Sequence, residues 1–362
     1  MAVLPFAAFV GLEELKRALL CLAVDPSVGG LLIVGPKGTG KSSIVRAFAE
    51  LLPEIEVSKG CPFNCDPKNP EEMCDFCRER LERDGELEVE RVKMRVVELP
   101  IGATEDMVLG TINIERTLKE GRVVFEVGLL GRANRQILYV DEVNLLPDYI
   151  VDSILDAAAS GWNVVEREGI SLRHPAKFIL VGTMNPEEGE LRPQLLDRFS
   201  IGVKLETIRD PALRAEIVKR NLEFEEDPEG FRERWKKYQV EVSERVRRAR
   251  EILRKVRVGD EVLAAVAEAC ARLEVDGYRP DIIAVKVARV LAALDGREIA
   301  TVEDALAGLE LALAHRTRAS GLKRPPSPGE IKEALLEAYG GGRRTEARKK
   351  ISKIFFREQS GK

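Results

Sequence analysis

The run Gly35-Pro36-Lys37-Gly38-Thr39-Gly40-Lys41-Ser42 matches G-x-x-x-x-G-K-[ST] without a gap, a spacing whose chemistry is the capture of phosphate. Glycines at 35, 38 and 40 let backbone N–H groups close around one centre, because no Cβ stands in the way. Lys41 is placed to reach β- and γ-phosphates and Ser42 to hold Mg²⁺, with Ser43 in the same turn. Farther along, Asp141 and Glu142 offer two adjacent carboxylates. The first suits a Mg²⁺ that keeps several waters, the second the polarisation of an attacking water. Asn185 brings an uncharged amide that can position that water or touch the γ-phosphate; before Pro186 it can equally be a turn residue. The chemistry these types allow together is hydrolysis of MgATP.

Such groups need rigid supports. Leu31 to Val34 reads as a buried parallel strand, and Ser43 to Leu52 puts Ile44, Val45, Phe48 and Leu52 at helical spacing, so strand, loop and helix follow in the order a phosphate cradle requires. The helix N-terminus adds partial positive charge. Ile137 to Val140 is a second buried strand and delivers the Asp141-Glu142 pair; Phe178 to Val181 is a third and leads to Asn185. Ahead of a helix from Glu13 to Val24, the turn Phe9-Val10-Gly11 packs either on a nucleotide base or in the core. Between these lie an expected strand Val92 to Val97, a loop over 99–106, a helix Met107 to Glu120, a hairpin or loop with a short helix over 123–133, a helix Asp148 to Ser160, and a hairpin Asn163 to Leu172 turning at Glu168-Gly169. Strands alternating with helices predict a parallel α/β sheet with function at the carboxyl ends of its strands. Beyond residue 206 the strand signal ends. Charged segments run through Arg250 with a break at Asp227-Pro-Glu-Gly230, and three amphipathic stretches, 262–273, 283–294 and 302–314, predict a small helical domain. A helix over 329–339 follows Pro325, Pro326 and Pro328, and Gly340-Gly-Gly342 separates a basic end that includes Arg343, Arg344, Lys349, Lys350 and Lys353.

With 362 residues, 44% of them apolar, the chain can build a large core and a second domain. Charged residues make up 33%, yet the net charge is only −4, which speaks against a general nucleic-acid binder. No apolar run reaches about 18 residues, so no membrane span is expected. The N-terminal residues carry no basic segment and no long apolar core, so the expected compartment is the cytoplasm. Of six cysteines, Cys21 and Cys270 lie on apolar helical stretches as core thiols. The others crowd into Cys61-x3-Cys65-x8-Cys74-x2-Cys77, where a cytosolic setting favours a metal over disulfides. Zn²⁺ takes four thiolates, an iron–sulfur cluster is the rival, and reduced unliganded thiols are the plainest reading. The two histidines, His174 and His315, have no ligand-spaced neighbours and read as structural.

Arg198, in Leu195-Leu-Asp-Arg-Phe199, is either paired with Asp197 or poised to reach a neighbouring subunit's ATP, an effect worth roughly 10³ to 10⁵ in rate. With this segment in place, the order of phosphate loop, Asp-Glu strand, Asn-ended strand, Asp-Arg-Phe and helical lid resembles an AAA+ ATPase. More narrowly, the chain is similar to the motor subunit I of magnesium chelatase. The matching stretches include Val24-Asp-Pro-Ser-Val-Gly-Gly30, Gly60-Cys-Pro62, Leu99-Pro-Ile-Gly-Ala103, Tyr139-Val-Asp-Glu-Val-Asn-Leu-Leu146, Asn163-Val-Val-Glu-Arg-Glu-Gly169, Arg173-His-Pro-Ala176 and Gly182 to Phe199. The likeness spans residues 5–320.

That resemblance implies an AAA+ P-loop core with a parallel sheet over 1–225, carrying a Cys-rich insertion at 57–90, a helix-2 insertion at 99–131 and a pre-sensor hairpin at 162–172. It implies an all-α lid over 226–322 and leaves 323–362 as a basic tail. ATP and Mg²⁺ are the implied cofactors, with Val10, Gly11, the loop from Gly35 to Ser43, and Asp141 as their contacts. Arg198 becomes a trans-acting finger and Arg279, in Asp276-Gly-Tyr-Arg-Pro280, a lid arginine that senses the γ-phosphate. Arg132, Arg135 and Arg167 are further candidates for contact with a neighbour's nucleotide. The implied partners are further copies in a ring, expected to be a hexamer, a subunit with an integrin-like metal-binding domain, and a large catalytic subunit that inserts Mg²⁺ into protoporphyrin IX. The chain carries no Asp-x-Ser-x-Ser site and no acidic, proline-rich linker, so the motor is the part it resembles. A cobalt-chelatase motor, a chaperone-type AAA+ remodelling ATPase and a helicase remain alternatives. The four-cysteine insertion departs from the family pattern beyond Gly60-Cys61-Pro62.

Overall fold

In the computed structural model, residues 3–121, 124–167, 170–189 and 191–340 are described. The expected turn at Glu168-Gly169, the Arg167 side chain and the basic end from residue 341 lie outside the described residues.

Five strands form one sheet in the spatial order Ile201–Lys204, Leu31–Val34, Ile179–Met184, Ile137–Val140, Val96–Leu99. The last four run parallel, with Leu31 level with Val181, Ile179 with Ile137, and Val96 with Ile137. Leu31, Leu32 and Ile33, like Ile137 to Val140, are buried along their whole length, as strands covered on both faces must be. The first strand of the chain therefore lies beside the strand that ends near Asn185. The register pairs Val34 with Met184 and Val140 with Gly182, so the chain leaves three neighbouring strands at one edge.

Helices cover the sheet for legible reasons. Lys41–Leu51 buries Ile44, Val45, Ala47 and Phe48, with the Phe48 ring 6.1 Å from Phe6. Asp148–Ser160 buries Ile150, Val151, Ile154 and Leu155 in one cluster with Leu138, Val140, Leu180 and Phe199. Gly182 has no room for a side chain here, since a Cβ would sit 3.0 Å from the Phe199 ring.

The expected helix Met107 to Glu120 is instead two short helices, Glu105–Leu109 and Ile114–Glu120, around a strand Gly110–Ile112 that pairs antiparallel with Phe125–Val127. Gly110 breaks the helix at φ +95°, where a Cβ would meet the Glu126 carbonyl oxygen at 2.7 Å. Asn113 then starts the second helix by accepting from Arg116 N at 2.9 Å. The expected strand Val92 to Val97 is likewise two. Val89–Val92 pairs antiparallel with Ile55–Ser58, and Val96–Leu99 joins the main sheet. The later hairpin pairs Trp162–Arg167 with Ile170–Pro175.

The chain divides into two compact units. One extends to Phe199 and resumes over Val203–Glu244; the other takes Ser200–Gly202 and the chain from Arg245. This moves the expected boundary from 225 to 244. Asp227 closes the helix Pro211–Glu226 and accepts from Gly230 N at 2.9 Å, but the next helix, Pro228–Ile252, continues unbroken past the boundary. Phe231 explains the difference: it is wholly buried, meets Phe224 edge-on and stacks with Trp235, which fastens the start of that helix to the first unit. In the second unit, helices Asp260–Arg272, Arg279–Leu294 and Val302–Leu313 are joined by Pro328–Gly340, which buries Ile331 and Leu335 against the first of them. Residues 328–340 thus belong to this unit and not to a tail. Gly308 lets Val302–Leu313 approach Arg279–Leu294 so closely that a Cβ would fall on the Ala284 carbonyl oxygen. Gly308→Ala should therefore destabilise the helical unit by about 1–3 kcal/mol, read as an earlier transition in denaturant unfolding.

Candidate functional site

The phosphate loop leaves its strand at Gly35, whose N–H donates to the Met184 carbonyl at 3.0 Å. A Cβ at Gly35 would press on the Leu205 carbonyl oxygen at 2.9 Å, so only glycine fits. Gly38 and Gly40 hold φ of +77° and +80°, the left-handed turns that aim the loop's N–H groups inward before the helix begins at Lys41. Lys41 Nζ folds back to donate to Gly35 O at 2.7 Å and Pro36 O at 2.8 Å, and Thr39 Oγ1 donates to Pro36 O at 3.0 Å. Burial pushes the Lys41 ammonium below its usual range, opposed by the charges of Asp141 and Glu142. Neutral carbonyls are weaker partners for an ammonium than phosphate oxygens, so a triphosphate competes well for it.

Tyr139, Asp141 and Thr183 lock together at the ends of two neighbouring strands. Thr183 Oγ1 donates to Asp141 Oδ1 at 2.6 Å and accepts from Glu142 N at 3.0 Å, while Tyr139 OH donates to the same Asp141 oxygen at 3.0 Å. Glu142 itself stands at φ +51°, a conformation that costs a non-glycine residue about 1–3 kcal/mol and that the Thr183 bond helps hold. Its carboxylate lies 3.1 Å from Lys37 Nζ, which also pairs with Glu188 at 2.6 Å. These pairings raise the Lys37 ammonium above its usual range, Glu188 first and Glu142 second. Lys37, expected as a phosphate contact, is thus the cation that bridges two carboxylates. Asn185 is buried and accepts from Glu187 N at 3.3 Å; its side chain also helps keep the Glu188 carboxyl below its usual range, after the larger effect of Lys37.

The Ser42 hydroxyl and Asp141 carboxylate are hard oxygen donors, one at the loop and one at the end of the next strand but one in the sheet, a donor set that fits Mg²⁺ rather than a soft ion. The turn carrying Val10 and Gly11 also lies by the loop, because a Cβ on Gly40 would sit 4.0 Å from the Phe9 ring. Gly11 holds φ +70° and lies under Ile208, which leaves no room for a side chain.

Arg198 rests on the helix Asp148–Ser160, with Nη1 against Asp156 and 3.4 Å from Asp152, and is partly exposed. In the second unit, Arg279 opens its helix and donates to Ser200 Oγ at 3.3 Å. Arg135 is engaged by the insertion: it donates to Glu56 O and Asn64 O and pairs with Asp66 at 3.1 Å. Arg132 Nε donates to Val127 O at 3.2 Å. His174 is buried between Asn163 Nδ2 and Pro175 O, and burial pushes its pKa down, as suits a structural, uncharged ring. Cys21 is a core thiol pushed up to about 12 by burial. The four insertion cysteines converge, with all their Sγ atoms within 4.8 Å of one another.

Thr183, Tyr139 and Glu188 were missed from the sequence. A signal exists for Thr183, a hydroxyl inside an otherwise apolar buried strand two positions before Asn185.

A glycine loop at one strand end, an asparagine after the strand beside it, an Asp-Glu pair after the strand beyond that, and a following helical unit define an AAA+ ATPase. A family model described as an AAA lid domain matches residues 263–338. A magnesium-chelatase subunit ChlI homolog of Methanocaldococcus jannaschii is 50% identical over 92% of this chain and 90% of its own length. Magnesium-chelatase subunit ChlI of Mesostigma viride is 49% identical over 93% of this chain and 94% of its own. A solved structure described as a complex between subunits BchI and BchD of magnesium chelatase contains a chain with 43% identity and a TM-score of 0.53, covering 92% of this chain and 100% of that one. A putative ATPase from Cytophaga hutchinsonii, at 17% identity and a TM-score of 0.58 over 92% of this chain and 91% of its own, shares the fold. The chain belongs to the magnesium-chelatase subunit I family of AAA+ ATPases. Among the described residues no helix is long and apolar enough to cross a membrane.

Thr183→Val keeps the shape of the strand and removes the hydroxyl that orients Asp141 and Glu142. It should lower kcat for ATP about 10- to 100-fold and raise the Mg²⁺ concentration required, with nucleotide affinity little changed. Steady-state turnover and a nucleotide titration read these separately.

Proposed function

We propose that the chain is the ATP-hydrolysing motor of a chelatase complex, driving insertion of Mg²⁺ into protoporphyrin IX by a separate catalytic subunit. The observation that carries this reading is the Asp141–Thr183–Glu142 lock beside the phosphate loop. The chelatase assignment rests on the names of relatives that match nearly the whole chain.

In this reading Lys41 exchanges the Gly35 and Pro36 carbonyls for β- and γ-phosphate oxygens. Lys37 is drawn toward the same charge, which releases Glu142 to take a proton from the attacking water. Ser42 and Asp141 would hold Mg²⁺, which supplies neutralisation of the charge on the phosphates. Asn185 orients the water without adding negative charge. Arg198 of one copy leaves Asp152 and Asp156 to reach the ATP of the next, and Arg279 responds to the γ-phosphate. Catalysis is positioning and charge stabilisation, with no covalent intermediate. Copies assemble in a ring, a hexamer in this proposal, and the hairpins 110–127 and 162–175 carry motion to a partner subunit with an integrin-like domain and a large catalytic subunit.

Glu142→Gln should retain ATP and lose turnover by about 10² to 10⁴. Arg198→Ala should bind ATP normally and lose turnover in the assembled protein. Mixing the two inactive variants should restore part of the rate, and a complete lack of rescue would count against a shared site. Adding chelatase partner subunits and protoporphyrin IX should stimulate turnover and yield the Mg²⁺ product; with Co²⁺ and a corrin precursor it should not.

A further inference from the structure

The insertion's four cysteines take no part in nucleotide chemistry, yet the fold gathers them. Cys61 follows a tight turn at Gly60, Cys65 lies on the return, and Cys74 and Cys77 open the helix Asp75–Asp84 from its N-cap and third positions. Cys65, Cys74 and Cys77 are buried and Cys61 is half-buried, and all four are free thiols. Cys61 Sγ and Cys74 Sγ stand 3.8 Å apart, and no pair of the four exceeds 4.8 Å. A single ion held tetrahedrally at about 2.3 Å by four thiolates sets its sulfurs about 3.8 Å apart. An iron–sulfur cluster places several irons and inorganic sulfides between its cysteines, which spreads them wider than one ion does. Two backbone donors also face the sulfurs: Phe63 N–H reaches Cys61 Sγ at 3.4 Å and Cys74 N–H reaches Cys65 Sγ at 3.2 Å. Such N–H···S bonds favour thiolates over thiols.

We propose that Cys61, Cys65, Cys74 and Cys77 bind one tetrahedral, thiophilic divalent cation of the Zn²⁺ type, and that this ion fastens the insertion to the two hairpins that project beside it. The insertion has a small apolar core. Its core is Phe63 and Met73 with the cysteines, covered by Leu81, Leu87, Phe125 and Val127. A core that small rarely offsets the entropy of ordering without a metal or cross-link. The closed knot is attached to its surroundings at several points. Phe63 O accepts from Asn134 Nδ2 at 2.6 Å, and Arg135 Nη1 reaches Glu56 O at 2.5 Å, three residues or fewer before the strand that ends at Asp141. The Phe63 ring stacks on His174 at 4.7 Å, in the hairpin 162–175. Phe125, in the hairpin 110–127, lies 6.3 Å from the same ring. The ion therefore sets the position of Phe63, on which both hairpins lean, and none of these contacts involves the phosphate loop.

The test uses the full chain purified without chelator. Elemental analysis should find one zinc per chain, and replacement by Co²⁺ should give the visible absorption of a tetrahedral tetrathiolate. Cys65→Ser and Cys77→Ser should each lose the metal. Amide hydrogen exchange of wild type, before and after metal removal with a mercurial and chelator, should quicken about tenfold or more over 55–92, 110–127 and 162–175 but stay unchanged over 31–51. The wild-type comparison keeps the test decisive if the variants fail to fold. A chain that neither carries metal nor takes up Zn²⁺ or Co²⁺ overturns the site, as does iron with acid-labile sulfide. Metal loss with unchanged exchange in both hairpins overturns the fastening role.

Discussion

The Thr183 hydroxyl ties two parallel strands together at the point where both leave the sheet. It gives its proton to Asp141 and takes one from the backbone of Glu142, so one buried side chain sets the direction of both carboxylates. The tie depends on register. Because Gly182 lies level with Val140, the residues that follow, Thr183 and Asp141, face each other without any loop to position them. A shift of one residue would turn Thr183 to the opposite face and break both bonds. The remaining geometry follows. Glu142 is held in a left-handed turn, its carboxylate meets Lys37, and Lys37 in turn gathers Glu188 from the turn after Asn185. Negative charge is thus concentrated where the phosphate loop concentrates positive charge, and the two are balanced internally by lysines that phosphate and Mg²⁺ can displace.

The same sheet edge connects outward. The strand that ends at Asp141 begins just after Asn134 and Arg135, and those two residues hold the insertion at the other end of the strand. Phe63, His174 and Phe125 form a ring cluster that joins the insertion to both hairpins. The four-residue strand Ile137–Val140 therefore has Asp141 and Glu142 at one end and the contacts to the insertion at the other.

The parts of this arrangement legible in the sequence were those where one local signal suffices. The G-x-x-x-x-G-K-[ST] spacing, the apolar runs before Asp141 and Asn185, and the cysteine cluster each announce themselves. What escaped depends on contacts between distant segments. Thr183 acquires its role only when its strand pairs with Ile137–Val140, and Lys37 becomes a bridge only when Glu188 is brought across. Met107, Ile114 and Leu118 imitate a helical stripe, but the left-handed Gly110 and the cap at Asn113 divide it into helix, strand and helix. The Asp227-Pro-Glu-Gly230 break resembles a domain border, whereas the buried Phe231 carries the first unit past it to Glu244. The prolines at 325, 326 and 328 resemble the start of a tail, yet Ile331 and Leu335 return to the core.

Within one copy, Arg198 is held by Asp156 and Asp152, so the positive charge proposed to complete hydrolysis in a neighbouring copy rests on the helix Asp148–Ser160. The account therefore requires a second copy to make an active site. ATP turnover per chain, measured over a dilution series with sedimentation velocity in the same MgATP buffer, tests this most directly. The account predicts that turnover per chain falls toward zero as assemblies give way to single chains. A rate per chain that stays constant when sedimentation shows only single chains would contradict it.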